Sequence, residues 1–170
     1  MRGKICWGWM MVWPLAGVAA ENLVVNGSFE EPELPKTSPK LYRLGDDAIK
    51  GWEVFGEKRA DVAVLNGPFS QGGLTFTHHD GEQSLDLTGL ANRRGGVRQT
   101  LETVAGERYL LEFAFANVQS PGVWGNKSKV LVELNGKELM AVEKKDGPPD
   151  KLGWEEYRKE FVAEEAKTVL

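Results

Sequence analysis

The sequence is poor in the residues from which disulfides, thiol catalysis and transition-metal sites are built. Its 170 residues include one cysteine, Cys6, and two histidines, His78 and His79. A single cysteine excludes an intramolecular disulfide. A structural zinc site needs about four ligands, and two adjacent histidines point to opposite faces of a strand. We therefore predict that "THHDGE" (77–82) is a polar turn rather than a metal or catalytic centre.

Signatures of several enzyme classes are also missing. There is no Gly-x-Ser-x-Gly elbow, no phosphate loop and no dinucleotide fingerprint, and "QGGLTF" (71–76) is read as a loop. With 25 acidic residues in the chain, a glycosidase-like carboxylate pair would arise by chance and carries little weight. We expect a protein that is not an enzyme.

The first twenty residues have the order of regions found in a secretory signal peptide. Arg2 and Lys4 form a basic start, residues 5–16 are apolar, and 18–20 are small. A transmembrane anchor is the alternative, but the run is short and is followed by Glu and Asn instead of basic residues. We predict a signal peptide over 1–20, a secreted domain over 21–170 and no membrane span, in an extracellular or cell-envelope location.

Loss of this leader would remove Cys6 and leave a more acidic chain. Without Arg2 and Lys4, 19 basic residues remain against 25 acidic ones. A net negative surface argues against nucleic acid and anionic membranes as partners. The remaining length of about 150 residues suits one domain with a substantial core, and we expect it to be monomeric.

Short alternating segments between Gly and Pro turns predict an all-β domain. Asn135-Gly136 within "KVLVELNGKELMAV" (129–142) indicates a two-residue hairpin, and residues 154–161 fit an irregular strand or a helical stripe, of which we favour the strand. Residues 31–48 and 143–153 are predicted to be long loops. Further strands are expected at 52–55, 60–65, 74–77, 84–88, 97–103 and 109–116. The pattern suits an antiparallel sandwich or barrel, and we favour the sandwich.

Five segments in order carry a resemblance to a known group of proteins. They are "NLVVNGSFEEP" (22–32), "GWEV" (51–54), "DGEQSLDLTG" (80–89), "GGVRQTLETVAGERYLLEFAFAN" (95–117) and Trp154 ahead of "FVAEEAKTVL" (161–170). The series resembles secreted galactose-binding-like jelly-roll domains, within them the choice-of-anchor C group of bacteria and its plant cell-wall relatives. It is more distantly similar to jelly-roll carbohydrate-binding modules. Such domains usually end with one more strand, so the resemblance implies that this chain lacks its last strand.

The resemblance also implies a structural calcium ion at the "NGSFEE" corner. Carried onto this chain, the ligands are the Ser28 carbonyl, the Glu30 side chain, Asp80 and the Gln83 carbonyl. Oxygen ligands on turns are those that calcium prefers. The alternative is that Asn26-Gly27 is only a turn and that the acids are solvated.

The predicted function is a non-catalytic module that binds cell-wall or extracellular polysaccharide. Arg98 and Glu112, on the face that also carries Ala114 and Ala116, are predicted to form a shallow groove. Trp124 in "QSPGVWGNKS" (119–128) could stack on a sugar ring beside amides such as Asn117, or could fold back onto the sandwich edge. The alternative function is a structural or adhesive surface domain that binds protein partners rather than a polysaccharide or other glycan.

Overall fold

Alternating apolar residues form strands throughout the chain. The computed structural model describes residues 5–15, 21–37, 39–118, 127–145, 147–148 and 151–170, and these contain no helix and therefore none that could span a membrane. The strands are β1 (Ile5–Pro14), β2 (Pro39–Arg43), β3 (Glu53–Gly56), β4 (Asp61–Asn66), β5 (Phe69–Gln71), β6 (Leu74–Phe76), β7 (Gln83–Asp86), β8 (Gly95–Arg98), β9 (Thr100–Glu102), β10 (Arg108–Asn117), β11 (Ser128–Leu134), β12 (Lys137–Lys144), β13 (Gly153–Val162) and β14 (Lys167–Val169).

One large sheet organises the molecule. Its six strands lie in the order β13-β10-β1-β7-β4-β2, and each neighbouring pair is antiparallel. Three two-stranded antiparallel sheets, β3–β8, β9–β14 and β11–β12, face it across the core, and β5–β6 is a separate hairpin. The predicted all-β, antiparallel sandwich architecture is confirmed.

The main core lies between these two layers. Period-two alternation turns every second residue of a strand toward the same face. The buried side chains from the large sheet include Trp7, Met10, Val12, Val62, Val64, Leu85, Leu111, Phe113 and Phe115, and those from the facing layer include Val54, Leu101, Val130 and Val132. Aromatic stacking continues across the edge, where Phe113 and Tyr157 have ring centroids 5.5 Å apart.

A second, smaller core covers part of the outer face of the large sheet. The β5–β6 hairpin contributes Leu74 and Phe76, which pack in one cluster with Ala63 and Ala116. The groove predicted over Ala114 and Ala116 is wrong, because both residues are fully buried. Small side chains here allow the covering segments to approach closely; they do not leave an open surface.

The predicted strands occur close to their expected places, and the structure adds β5 and β14, which were not predicted. β2 lies within the predicted loop 31–48, because its alternation is weak and only Tyr42 is buried. The predicted strand 97–103 is divided at Gln99, whose backbone pairs with Leu170 and whose side-chain Nε2 donates to the carbonyls of Val25 and Gly51. Residues 153–162 form a strand, so the strand interpretation of that segment is confirmed.

Residues of the predicted signal peptide form β1 at the centre of the large sheet. β1 pairs with β10 on one side and with β7 on the other. The side chains of Trp7, Met10 and Val12 are buried in the main core. Removal of the leader stays a prediction, and it would take away a central strand.

Neighbouring leucines on β10 provide a test of the alternation. Leu111 is fully buried in the main core and Leu110 is half-buried on the other face. We expect Leu111→Ala to lower the free energy of unfolding by about 2–5 kcal/mol, since it leaves a cavity among packed side chains. Leu110→Ala is the matched control and should cost clearly less. Equal losses in denaturant unfolding would contradict this assignment of faces.

Candidate functional site

The "NGSFEE" corner is held by the side chain of Asn26. Asn26 has a φ of 53°, a left-handed conformation that asparagine tolerates better than most residues. Its Nδ2 donates to the carbonyls of Glu31 (2.7 Å) and Lys50 (3.1 Å), and its Oδ1 accepts the N–H of Glu31 (3.0 Å). Lys50 also forms an exposed ion pair with the Glu31 carboxylate at 2.8 Å. The asparagine therefore closes the turn and attaches it to the 50–52 segment.

Glu30 joins this corner to the turn before β7, some fifty residues later. Its Oε1 accepts the N–H groups of Glu82 (3.1 Å) and Gln83 (3.0 Å). Gly81 makes the approach possible, because a Cβ there would lie 2.3 Å from the same oxygen. The resemblance implied that Glu30 and the 80–83 turn meet at a calcium ion, and the contact that the structure describes is a pair of direct hydrogen bonds.

Gln83 acts through its side chain, a role that the sequence did not indicate. The residue is almost fully buried. Its Nε2 donates to the carbonyls of Phe29 and Pro32, and its Oε1 accepts the N–H of Leu34 at 2.8 Å. These bonds satisfy backbone groups of a segment that has no strand partner of its own. Gln83 is thus the buried anchor of the 29–34 loop.

Calcium at this corner stays a prediction. Glu30 keeps its second carboxylate oxygen and Asp80 lies on the same turn, so the Ser28 and Gln83 carbonyls could complete an oxygen set of the kind that calcium binds. Among the described residues, no three acidic, histidine or cysteine side chains come close enough to form a metal-binding group by themselves. Bound calcium would therefore depend on carbonyl or water ligands and would add to a connection that the hydrogen bonds already make.

The residues predicted to bind sugar do not lie on one face. Arg98 is on β8, where its Nη2 pairs with the Glu53 carboxylate at 2.6 Å; this contact raises the pKa of Arg98 and lowers that of Glu53. Glu112 is on β10 of the opposite sheet and pairs with Arg158 at 2.6 Å. Trp124 lies outside the described residues. Asn117, the fourth residue predicted to bind sugar, is a buried polar residue at the end of β10.

Asn117 ends β10 on the same face as Phe113 and Phe115, so the row of core side chains finishes with an amide. It is fully buried. Within the part of the chain that the structure describes, neither Oδ1 nor Nδ2 of Asn117 has a hydrogen-bond partner. An unpaired buried amide costs about 1–3 kcal/mol, which proteins rarely accept without a functional or structural reason.

Other polar groups gather at this end of the sandwich. Lys144 at the end of β12 is 7% exposed, and its Nζ contacts the Gly153 carbonyl (3.0 Å) and the Glu155 carboxylate (2.8 Å). Opposite it on β11, Ser128 is also buried. The polar end of the sandwich, as we call it, comprises Asn117, Ser128, Lys144 and Glu155. It lies where the chain leaves β10 and returns into β11.

Glu155 is the electrostatic partner of the buried lysine. The hydrogen bond from Lys144, followed by one from the Tyr157 hydroxyl at 2.7 Å, lowers the pKa of the Glu155 carboxyl below 4.5. Burial raises the pKa of Tyr157, and its bond to the carboxylate adds to this shift. Both shifts favour an ionised Glu155 carboxylate that accepts hydrogen bonds from Lys144 and from the neutral Tyr157 hydroxyl.

Gly147 packs closely against the Asn117 amide. A Cβ at Gly147 would lie 3.1 Å from Asn117 Oδ1, which is closer than side chains normally approach. The backbone at this glycine is not in the left-handed region, so glycine is not needed there for conformational reasons. The absent side chain thus allows the backbone at residue 147 to cover the amide. The polar groups at this end of the sandwich are donors and acceptors of the kind that bind a polar ligand.

Two other surfaces are weaker candidates. A cavity of about 200 Å³ lies near the β11–β12 turn, but Lys137 and Glu164, two of the three charged residues that line it, are exposed and pair with each other at 2.8 Å. His79 contacts the ring of Trp154 with centroids 5.6 Å apart, and its Nε2 is 3.7 Å from Glu156. His79 thus packs on the sheet rather than in a cluster of ligands. Neither surface contains a fully buried amide that lacks a partner.

The sequence analysis missed Lys144 and Ser128. Counting residues outward from the Asn135-Gly136 turn would place Glu143 opposite Ser128. A β-bulge between Val132 and Glu133 shifts the register by one, so Lys144 takes that position. The apolar residues before the Asn135-Gly136 turn predict a hairpin, but they do not indicate where along the hairpin a bulge occurs.

Comparison with known proteins gives one match. The family model described as "Protein of unknown function (DUF642)" matches residues 22–170. No curated protein and no solved structure matches the chain.

The calcium prediction can be separated from the hydrogen bonds of Glu30. We expect Glu30→Gln to lower the free energy of unfolding by about 1–3 kcal/mol, because a charge-assisted acceptor for two N–H groups is lost. If calcium binds there, a chelator should lower the Tm of the parent protein and leave that of Glu30→Gln unchanged. A parent Tm that calcium and chelator leave unaltered would contradict the metal site.

The Lys144–Glu155 contact predicts a loss of stability in acid. Because the folded pKa of Glu155 is lowered from 4.5, its contribution is present above that value and is lost as the pH falls through the folded pKa. Protonation leaves the buried Lys144 charge without its partner. Glu155→Gln should therefore show a flatter stability profile than the parent between about pH 5 and pH 2. Parallel profiles in urea titrations would refute this linkage.

Proposed function

The chain belongs to the family described as "Protein of unknown function (DUF642)", and we propose that it is a secreted, non-catalytic module that binds cell-wall or extracellular polysaccharide. The observation that carries the proposal is the amide of Asn117, which is buried at the polar end of the sandwich and has no hydrogen-bond partner among the described residues. The resemblance to secreted galactose-binding-like domains and their plant cell-wall relatives supports the same function.

The chemistry of the polar end matches the groups that a sugar presents. A sugar hydroxyl both donates and accepts hydrogen bonds, and an amide offers two donors and an acceptor with two lone pairs. Because the amide is buried, water competes less for its hydrogen bonds. A ligand that forms these bonds therefore gains more free energy than it would at an exposed amide. Asn117 would then be satisfied only when a ligand is bound, which explains why the domain tolerates its cost.

Trp124 adds an aromatic residue to this proposal. It lies in the 119–126 segment, which joins β10 directly after Val118 to the start of β11. In the chain, the segment is flanked by Val118 on one side and by Lys127 and Ser128 on the other. Stacking of an indole on a pyranose ring, with amides bonding its hydroxyls, is a common way to bind sugar. We propose Trp124 as the stacking residue of the same site.

The alternative is a structural or adhesive domain that binds protein partners. The exposed faces of the strands carry ion pairs such as Arg108–Glu160 and Lys167–Glu102, which would suit a polar protein contact. This alternative does not account for the unpaired amide at the end of β10. A domain that binds only protein through its exposed strands should be indifferent to the identity of residue 117.

The proposal predicts opposite effects of one substitution on stability and on binding. Asn117→Leu replaces an unpaired amide by an apolar group of similar volume, so we expect unchanged or higher stability by up to about 1–3 kcal/mol. The same change should abolish retention on insoluble plant or microbial polysaccharides. Gly147→Ala should also weaken retention by crowding the amide, without backbone strain.

Arg98→Ala is the matched control, since Arg98 lies on the other layer and pairs with Glu53. We expect its retention to equal that of the parent protein. Retention should be measured on folded samples by polysaccharide pull-down and on a glycan array. A folded parent protein that binds no polysaccharide would favour the protein-binding alternative, and loss of retention only in Arg98→Ala would move the site to β8.

A further inference from the structure

The arginines that have no acidic partner gather at one edge of the sandwich. Arg98, Arg108 and Arg158 each form an ion pair with a glutamate. The other arginines in the part of the chain that the structure describes have no ion pair there, and they are exposed together with one lysine of the same surface: Arg43, Arg59, Arg93, Arg94 and Lys58. We call the surface formed by these five residues the basic edge. Although the whole chain has a formal net charge of −4, positive charge is concentrated here.

Contacts at the start of β4 bring the segments of the basic edge together. Arg43, the last residue of β2, lies opposite Asp61, the first residue of β4. The Glu57 N–H donates to the Arg94 carbonyl at 2.8 Å, which joins the turn before β4 to the loop before β8. Asp61 Oδ1 accepts the N–H of Ala91 in the same loop at 2.9 Å. The five cations therefore come from three segments that are distant in sequence and adjacent in the fold.

Arg59 has a backbone conformation that is unfavourable for arginine. Its φ is 68°, in the left-handed region that glycine adopts more readily than a residue with a Cβ. Its exposed side chain has no hydrogen bond or ion pair with the described residues, so these contacts give no reason for an arginine at this turn. Residues held in such conformations are concentrated at functional sites. The arginine therefore indicates a role in binding a negatively charged ligand.

An exposed aromatic ring borders the basic edge. Phe55 on β3 lies opposite Gly96 on β8 and is 37% exposed. A Cβ at Gly96 would lie 3.3 Å from Phe55 Cε1, and the backbone there is not in the left-handed region, so the glycine serves the close approach of the ring. The next pair of this ladder is Gly56 and Gly95, and Arg94 follows directly. An aromatic ring in this position can stack on a sugar ring.

We propose that the basic edge and Phe55 form a binding site for an acidic polysaccharide, a polymer of sugars that carry carboxylates. A guanidinium group pairs with a carboxylate through two parallel hydrogen bonds, and the Phe55 ring stacks on the sugar between charged groups. This site is separate from the polar end, where Glu155 already neutralises Lys144. The class of polymer rests on the proposed function, whereas the negative charge of the ligand rests on the arginines alone.

An anionic membrane fits the basic edge less well than a single polymer chain does. A membrane faces a wide area of the protein, and the net charge of this protein is negative. A polymer chain interacts only with charges within a Debye length of about 8 Å at physiological salt. Leu90, 71% exposed in the loop before β8, is the residue here best suited to enter a membrane, and it provides a test of this alternative.

The test compares two polymers that differ only in charge. Binding of the full-length chain to polygalacturonate and to its methyl ester is measured by calorimetry, with a chelator present so that divalent ions cannot bridge protein and polymer. We expect polygalacturonate to bind at least about tenfold more tightly than the ester, because charge-assisted hydrogen bonds are lost with the ester. Binding should weaken between about 0.1 M and 1 M salt, where the Debye length falls from about 10 Å to about 3 Å.

Three variants test the residues of the site. Arg59→Gly should weaken binding to polygalacturonate by about tenfold and leave the Tm unchanged or higher, since glycine accepts the left-handed backbone. Loss of binding without loss of stability excludes unfolding as the cause. Phe55→Leu keeps an apolar contact with Gly96 but removes the flat ring, so it should also weaken binding. Arg108→Ala is the matched control, because it removes an arginine that is paired with Glu160, and it should bind like the parent protein.

Three results would overturn the proposal. The first is that the folded protein binds polygalacturonate no better than its methyl ester. The second is that Arg59→Gly and the double variant Arg93→Ala, Arg94→Ala bind like the parent. The third is binding to phosphatidylserine vesicles, lost in Leu90→Ser, without binding to the polymer. Retention on neutral polysaccharides is measured separately with Asn117→Leu, so failure of the basic edge and failure of the glycan site at the polar end give different results.

Discussion

The fold depends on the alternation of side chains along β10. Its inner face carries Leu111, Phe113 and Phe115, each fully buried, and its outer face carries Ala114 and Ala116, also fully buried. Both cores of the protein therefore meet on one strand. Because side chains alternate between the two faces of a strand, Asn117 lies on the same face as Phe113 and Phe115. The row that begins as a hydrophobic core ends as an amide at the polar end of the sandwich.

Gln83 and Asn117 are both buried amides, but they differ in their hydrogen bonds. This difference separates the structural role of Gln83 from the binding role proposed for Asn117. Gln83 forms hydrogen bonds with the backbone of the 29–34 loop through both ends of its amide. Asn117 has no partner among the described residues. Burial penalises both groups, but among the described residues only Gln83 has hydrogen bonds that compensate for it. This difference is the reason for placing the proposed binding site at Asn117.

β1 occupies the central position in the large sheet. β1 joins β10 to β7, yet it belongs to the predicted leader and lies outside residues 22–170. Two parallel neighbours held apart by one strand width cannot satisfy each other without a rearrangement of the core.

Local sequence determined the strands and the hairpin turn of this protein. Alternation around 109–116 and the Asn135-Gly136 pair both act over a few residues, and the observed β10 and β11–β12 hairpin follow them. The meeting of Glu30 with the 80–83 turn was anticipated only through resemblance, since fifty residues separate them. Tertiary structure alone decided that Ala114 and Ala116 are covered, that a bulge brings Lys144 opposite Ser128, and that the leader segment completes the sheet. Each of these depends on contacts between distant segments, and alternation fixes which faces a strand has without fixing what packs against them.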